Sequence, residues 1–416
     1  MYIFVFCEET NMQHDFDVII SGAGPAGSAC AIALKDSGLK VGLFDKDIFP
    51  RDKTCGDGLT PDTVNQLALL DPTLLDDFLK MTGILSVKGV KLISHKGKSV
   101  TVPLLQETGK VGMYSASRLI FDDLLFRFSA SQTNISAFAG TSIVSTKVHS
   151  EGVEVQTSKG VFSCKILIGA DGENSPIARS YLNLQIPDSE KYIAIRAYYQ
   201  DVKLPDGVNY FHFFFPRDTL PIGIWLFPEA NGNFNVGIGM SISLMKKRKA
   251  NLAQLLQKEI DNGLLTPYFS DAKAVSPIKG HTITVGRKGR PISSNRLLLL
   301  GDAAGLANPL TGEGITNAIR SGRVAALHLQ DCFRQNRFDA TFNKAYDKEI
   351  YRRMAKEFKN YRIMEAINTS SFLNNYIIKN VAPHFTHVFS NPALVNKEQN
   401  SKFFLLKVLR YMVFKG

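Results

Sequence analysis

The glycines of Gly22-Ala23-Gly24-Pro25-Ala26-Gly27 follow the spacing G-x-G-x-x-G, which can bring backbone N–H groups to a phosphate. Gly22 permits a tight turn, Gly24 lets the backbone approach a pyrophosphate, and Gly27 allows close helix–strand packing. Pro25 and Ala26 open a helical stretch whose N-terminal N–H groups and positive dipole end suit the phosphates. Asp45, 18 residues after Gly27 and followed by Lys46, can accept ribose hydroxyls. Asp171, Asp302 and the single tryptophan, Trp225, are further residues with chemistry to offer. So is Cys55, within Phe49–Leu59 (FPRDKTCGDGL). Its thiol could line a cofactor site, donate a proton to the carbon opposite a transferred hydride, or fill space. Reactivity requires a neighbour that shifts its pKa, and Arg51 and Lys53 are close in sequence.

These residues need elements to position them. Phe16–Ser21 (FDVIIS) is a short β-branched run typical of a buried parallel strand. A helix over Pro25–Lys35 and a strand over Val41–Asp45 follow, so the glycine pattern sits in the strand–helix–strand context of a dinucleotide site. That context leaves FAD and NAD both open. Lys165–Gly172 (KILIGADG) reads as a strand ending at Asp171, and Arg296–Gly301 (RLLLLG) as a buried strand running into Asp302. Gly312, Gly314 and Ile315 then open a helix with Ile315, Ala318, Ile319, Gly322, Ala325 and Leu329 on one stripe.

The order GxGxxG, ADG and GDAAG-x3-P-x2-GEGI resembles the para-hydroxybenzoate-hydroxylase-like FAD superfamily. The resemblance implies FAD, with Asp302 on its ribityl chain, Gly312–Ile315 facing the flavin pyrimidine edge, and Arg118 as an FAD contact. A positive helix end there stabilises the anion formed on reduction, typically by ~0.3–2 kcal/mol. No second G-x-G-x-x-G and no C-x-x-C pair exists, so an NAD(P)H donor, or another reductant, must act without its own Rossmann unit.

The cysteine-glycine segment at Cys55-Gly56 resembles the geranylgeranyl reductase family, whose members saturate isoprenoid double bonds with reduced flavin. A second signature of that family, Y-x-W-x-F-P, is matched at Trp225, Phe227 and Pro228, with Gly223 in place of the tyrosine. The resemblance spans roughly residues 15–334 and implies Cys55 and Trp225 at the substrate cleft. Around Trp225 lie Tyr210, Phe211, Phe213, Phe214, Phe215 and Phe227. The consecutive Phe213-Phe214-Phe215 must send rings to both sheet faces, so one face covers something beyond its own core, such as a lipid substrate or the flavin. Two alternatives share the flavin: a monooxygenase, or a halogenase acting on an aromatic or carrier-bound substrate, with Lys88 as the lysine for the latter role. A flavin-binding adaptor without turnover is a third.

The expected fold class is α/β. It comprises a Rossmann-type FAD-binding domain (12–88, 113–180 and 286–333), a mostly antiparallel substrate-binding sheet domain (89–112 and 181–285), and a helical C-terminal extension (334–416). The 416 residues, 44% hydrophobic and 21% charged, have the composition of a soluble globular chain. Five scattered cysteines argue against a disulfide scaffold or a zinc site and for a reducing, cytoplasmic setting. No apolar run reaches the ~18 residues of a membrane span. The residues before Met12 carry no motif and are expected to be dispensable.

The net charge of +11 is uneven, because Arg334–Gly416 holds 15 basic and 6 acidic residues. Asp339–Ile367 has Phe342, Tyr346, Ile350, Met354, Phe358 and Tyr361 at helical spacing. Ser401–Gly416 (SKFFLLKVLRYMVFKG) reads as a basic amphipathic helix suited to peripheral contact with the inner face of a membrane, or to packing on the protein. No nucleic-acid motif accompanies the charge.

Overall fold

A computed structural model of the protein describes residues 14–103, 112–182, 186–204, 209–219, 223–287, 289–309 and 311–355. The sequence-expected strands, rich in Val, Ile and Leu, build one sheet. Its order is Ser293–Ser294, Leu297–Leu299, Gly160–Gly169, Phe16–Ser21, Val41–Phe44 and Ile135–Phe138. From Leu297–Leu299 to Ile135–Phe138 every pairing is parallel. Parallel strands covered on both faces read as continuous apolar runs. Val18, Ile19, Ile20, Leu43, Ile166, Leu167, Ile168 and Leu297–Leu299 are accordingly all inaccessible to solvent.

Helix Pro25–Ala33 packs against the long helix Ile315–Gln335. Contact is close because Gly322 has no side chain; a Cβ there would lie 2.5 Å from the Ala26 carbonyl oxygen. The expected stripe is buried, Ile319, Ala325 and Leu329 completely.

Register decides where the site falls. Ser21 pairs with Phe44 and Gly169, and Gly169 with Leu299, so these strands end together. The glycine loop, Asp45, Asp171 and Asp302 all follow those ends. In open α/β sheets this carboxyl edge is where ligands bind.

A second sheet runs Lys273–Ala274, Lys191–Gln200, Phe234–Ser241, Gly223–Pro228, Tyr210–Phe215, Gly89–Ser94 and Ser99–Pro103. Its pairings are antiparallel except that between Tyr210–Phe215 and Gly89–Ser94. Alternation divides its side chains as the Phe213–Phe215 run requires. Phe214, Ile224, Leu226, Val236 and Ile238 form a core with Leu252 and Leu256 of helix Leu252–Asn262. Phe211, Phe213, Trp225 and Phe227 lie on the opposite face, with Val87 and Met113. A small sheet of Gly58–Leu59, Met113–Ala116 and Ile84–Val87 has no counterpart in the sequence reading.

Helix Ala340–Arg353 is the described part of the expected Asp339–Ile367 helix; the Asp339 carboxylate caps it by accepting from the Thr341 and Phe342 N–H groups. Tyr346 and Ile350 are buried in the core of the first sheet, and the Tyr346 hydroxyl donates to the Leu299 carbonyl at 2.8 Å. Tyr2–Cys7, Met12, Phe358, Tyr361 and the 401–416 segment lie outside the described residues. Among the described residues no helix is long and apolar enough to cross a membrane.

Candidate functional site

The glycine loop is built on positions that exclude side chains. Gly22 has φ +100°, and a Cβ there would meet the Ala170 carbonyl oxygen at 2.3 Å and the Asp171 Cα at 3.0 Å. A Cβ on Gly27 would sit 1.8 Å from the Gly22 carbonyl oxygen. Gly24 differs: the nearest atom to its Cβ would be Arg51 Nη2 at 3.4 Å. It is the N-cap of the first helix and offers no side-chain acceptor to that helix's leading N–H groups. Asp45 is buried, and its carboxylate accepts from the Ala23 N–H at 2.7 Å and the Asp47 N–H at 2.9 Å. Burial outweighs these bonds and raises its pKa. Lys46 beside it is exposed.

Asp171 is tucked against Gly22, with both carboxylate oxygens buried. Burial pushes its carboxyl up to about 6, against the milder pull of Ser175 and nearby backbone N–H groups. Gly301 turns the chain at φ +54° between Ala26 and Ala318, so the loop carrying Asp302 lies against the starts of the Pro25 and Ile315 helices. Asp302 Oδ1 would be 3.0 Å from a Cβ on Gly314, the residue that caps the Ile315 helix without a side-chain bond. Gly312 holds φ +71° in the same turn, and Ile315 is buried behind it.

The Cys55 segment bridges this edge to the second sheet. Lys53 Nζ lies 3.7 Å from Asp302 Oδ2 and 3.3 Å from His281 Nε2. Burial and Lys53 hold His281 down to about 4. Arg118 forms a two-pronged pair with the fully buried Asp122 at 2.6 and 2.7 Å, and Arg51 Nη2 approaches the same carboxylate at 3.1 Å. This arginine–aspartate–arginine cluster spans the distance from Gly24 to Cys55. The Cys55 thiol lies beside the Arg118 guanidinium and accepts from the Asp57 N–H. Burial and the Asp57 carboxylate nevertheless raise its pKa, so it is a held thiol rather than a thiolate nucleophile. Arg51 and Lys53 turn instead to Asp122 and Asp302.

Gly56 and Gly58 lie against the aromatic face of the second sheet. A Cβ on Gly56 would be 3.4 Å from Trp225 Nε1, and one on Gly58 would be 3.0 Å from Phe211. Asn235 ties the two parts together. Its Oδ1 accepts the Trp225 indole N–H at 2.9 Å, while its Nδ2 donates to the Cys55 carbonyl and to Asp57 Oδ2, each at 2.8 Å. Trp225 lies flat across Gly237, where a Cβ would come within 2.0 Å of the ring. At Gly223 the backbone has φ +87° and a Cβ would meet the Phe214 carbonyl oxygen at 2.3 Å, so no tyrosine fits this backbone.

The structure thus brings Cys55 close to Trp225, and Gly24 close to Arg51. Sequence reasoning did not nominate Arg51 or Asp122 as a cluster, nor Asp57 and Asn235. Arg51 and Asp57 flank Cys55 in FPRDKTCGDGL and were available as signals; Asn235 carried none. Lys88 is exposed just before the Gly89–Ser94 strand, its backbone N–H bonded to the Asn209 carbonyl.

These residues fit a dinucleotide flavin: a first helix whose N-terminus has no side-chain cap, a glycine whose Cβ side is open, and the buried carboxylate of Asp171. Residues 15–356 match the FAD binding domain family, and the chain belongs to it. The protein is a flavin-dependent oxidoreductase with FAD as its cofactor. It is 30% identical over 322 residues to the menaquinone reductase of Mycolicibacterium smegmatis, covering 74% of this chain and 75% of that one. It is 29% identical to digeranylgeranylglycerophospholipid reductase 2 of Methanococcoides burtonii, over 77% of this chain and 78% of that one. A geranylgeranyl bacteriochlorophyll reductase-like protein from Thermoplasma acidophilum has the same fold, with a TM-score of 0.77 at 23% identity over 92% of this chain and 98% of that one.

Proposed function

We propose that the protein saturates C=C bonds in a polyprenyl-bearing lipid. The observation that carries this reading is the Asn235 bridge, which clamps the Cys55-Gly56 segment against the Trp225 and Phe227 face beside Asp302 and Arg118. The substrates named for the similar reductases, a menaquinone and a digeranylgeranyl lipid, both carry polyprenyl chains. An apolar chain is suited to an aromatic face, since each CH₂ removed from water contributes ~0.8 kcal/mol.

Bound and reduced, FAD supplies the hydride, after reduction by NAD(P)H or another donor. The Gly22–Gly27 loop and the helix beginning at Pro25 would receive the pyrophosphate, with Ala26 in its first turn. Asp45 and Lys46 would meet the adenosine ribose, and Asp171, Asp302 and Arg118 the remaining chain. The turn through Gly312, Gly314 and Ile315 would face the ring. Trp225 and Phe227 orient the alkene and exclude water. The Cys55 thiol, kept protonated by its surroundings, holds a proton at Sγ for the second carbon. The basic amphipathic pattern of 401–416 supports uptake of the lipid from an anionic membrane surface.

The test is an anaerobic incubation of chemically reduced enzyme with polyprenyl quinones and unsaturated isoprenoid phospholipids, followed by mass spectrometry. Gain of two hydrogens per bond is expected. In parallel aerobic incubations, gain of one oxygen, or with halide a halogen isotope pattern, would replace this reading with the monooxygenase or halogenase alternative.

A further inference from the structure

Two carboxyl groups meet beside the aromatic residues of the Trp225 face. Asp57 is completely buried, and its Oδ2 accepts from the Tyr198 hydroxyl at 2.6 Å and from Asn235 Nδ2 at 2.8 Å. Asp57 Oδ1 is buried and accepts no hydrogen bond among the described residues. Glu229 follows strand Gly223–Pro228, and its Oε1 is likewise buried and unpartnered. Its carboxyl lies within hydrogen-bonding reach of Asp57. Two ionised carboxylates present only acceptors, so they satisfy one another only when one of them carries a proton.

The surrounding charges agree. Arg196 is buried over the Tyr198 ring, with its guanidinium carbon 4.3 Å from the ring centroid, and it is the cation shared by the pair. Its Nη2 also lies 3.2 Å from Asp52, which is held in turn by Lys279 at 2.6 Å. Arg118, on the Cys55 side of Asp57, is already paired with Asp122. The groups facing the two carboxyls are therefore Arg196, Arg118, Tyr198, Asn235 and Cys55. One shared cation balances one carboxylate, and a proton neutralises the other. Burial raises both carboxyls above their ordinary range, and the neighbouring Asp57 carboxylate raises Glu229 further, to about 8.

Glu229 has a second exposure. It lines a cavity of about 180 Å³ with Gly83, Ser115, Ser117, Ile120, Ala230 and Asn231. That volume accommodates several waters at roughly 30 Å³ each. The Ser115 hydroxyl oxygen is buried without a partner, a polar group suited to hold one of them.

We propose, on the reading that the enzyme saturates double bonds, that Glu229 and Asp57 share one proton and relay protons from this cavity to Cys55. The balance closes. Saturating one C=C bond breaks its π bond, adds a hydride to one carbon and adds a proton to the other. Both electrons come from reduced FAD, which is oxidised as the alkene is reduced. The proton leaves Cys55 Sγ, is replaced from the Asp57 carboxyl, then from Glu229, and finally from water in the cavity. The carboxyl pair ends each cycle in its starting state.

Infrared spectra of the FAD-loaded protein in H₂O and D₂O at neutral pH test the pair without any substrate. A protonated-carboxyl band that shifts on deuteration is expected in the wild type and absent from Glu229→Gln and Asp57→Asn, with flavin still bound. Glu229→Gln should also lower kcat by roughly a hundredfold, the lower end of general acid–base contributions, and flatten its pH profile while KM holds. A band that persists in Glu229→Gln, or a kcat and pH profile equal to wild type, overturns the relay. If no polyprenyl lipid is reduced by the wild type, the reductase reading fails while the band result still decides whether the pair shares a proton.

Discussion

Replacing Gly24 with alanine separates flavin binding from folding. Gly24 has φ −69° and ψ −175°, a conformation open to any residue. The new methyl group would meet only Arg51 Nη2, at 3.4 Å, the far end of a flexible side chain. Alanine is a poorer N-cap than glycine, by up to ~1 kcal/mol. It also removes unfolded-state entropy, which stabilises by ~0.4–1 kcal/mol. The two nearly cancel, so the flavin-free protein should keep its melting temperature. Binding should change far more, because on the proposed placement the methyl would stand where the pyrophosphate approaches. Backing the phosphates away forfeits a charged hydrogen bond of ~1.5–3 kcal/mol. That corresponds to roughly a tenfold to hundredfold rise in the FAD Kd. Gly27→Ala supplies the contrast: its methyl would lie 1.8 Å from the Gly22 carbonyl oxygen, so the loop itself must shift and the flavin-free protein should melt lower. The assay is fluorescence titration of flavin-free protein with FAD, paired with thermal melting of the same samples. Wild-type FAD affinity in Gly24→Ala would refute the placement of the pyrophosphate at this loop.

Cys55→Ala should retain FAD and lower turnover by roughly a hundredfold or leave reduction incomplete, the scale of a lost general acid; unchanged product and rate by mass spectrometry would reduce Cys55 to a space-filling residue. Asp171 gives a pH prediction. Its folded-state pKa, about 6, stands above the unfolded value of about 3.9, so the ionised form weakens the flavin-free fold above about pH 6 and that penalty fades as pH falls toward about 4. Asp171→Asn should therefore stabilise the flavin-free protein at neutral pH by on the order of 1–2 kcal/mol after solvent screening, seen as a raised melting temperature, and leave stability unchanged near about pH 4. Removing residues 401–416, which hold Lys402, Lys407, Arg410 and Lys415, should abolish salt-sensitive co-sedimentation with anionic vesicles, each charge contributing ~1 kcal/mol; equal binding without the segment would show that the anchor lies elsewhere.

What the sequence disclosed depended on how local the determinant was. The glycine loop, the strands before Asp45, Asp171 and Asp302, and the helix from Ile315 are short-range patterns, and each was legible. Their meeting at one sheet edge follows from parallel register, which the strand–helix–strand order already implies. The split of Phe213, Phe214 and Phe215 between two faces was legible too, because side-chain alternation is a property of the strand alone. The environment of Cys55 was not. Its sequence neighbours Arg51 and Lys53 turn to other partners, whereas Arg118 and Asp57 set the state of the thiol.

Asn235 was invisible for a related reason. It reaches Cys55 and Asp57 across about 180 residues of chain, and an asparagine in a strand gives no signal of which backbone it will meet. Yet its geometry decides the chemistry. Through one amide it fixes the indole of Trp225, the carbonyl of Cys55 and one oxygen of Asp57. With that oxygen engaged by Asn235 and Tyr198, the other is buried without a hydrogen bond, and the Glu229 carboxyl lies within reach. Clamping the aromatic face and aligning the carboxyl pair are thus two consequences of the same side chain. On the proposed mechanism, substrate orientation and proton supply are coupled through Asn235 rather than assembled separately.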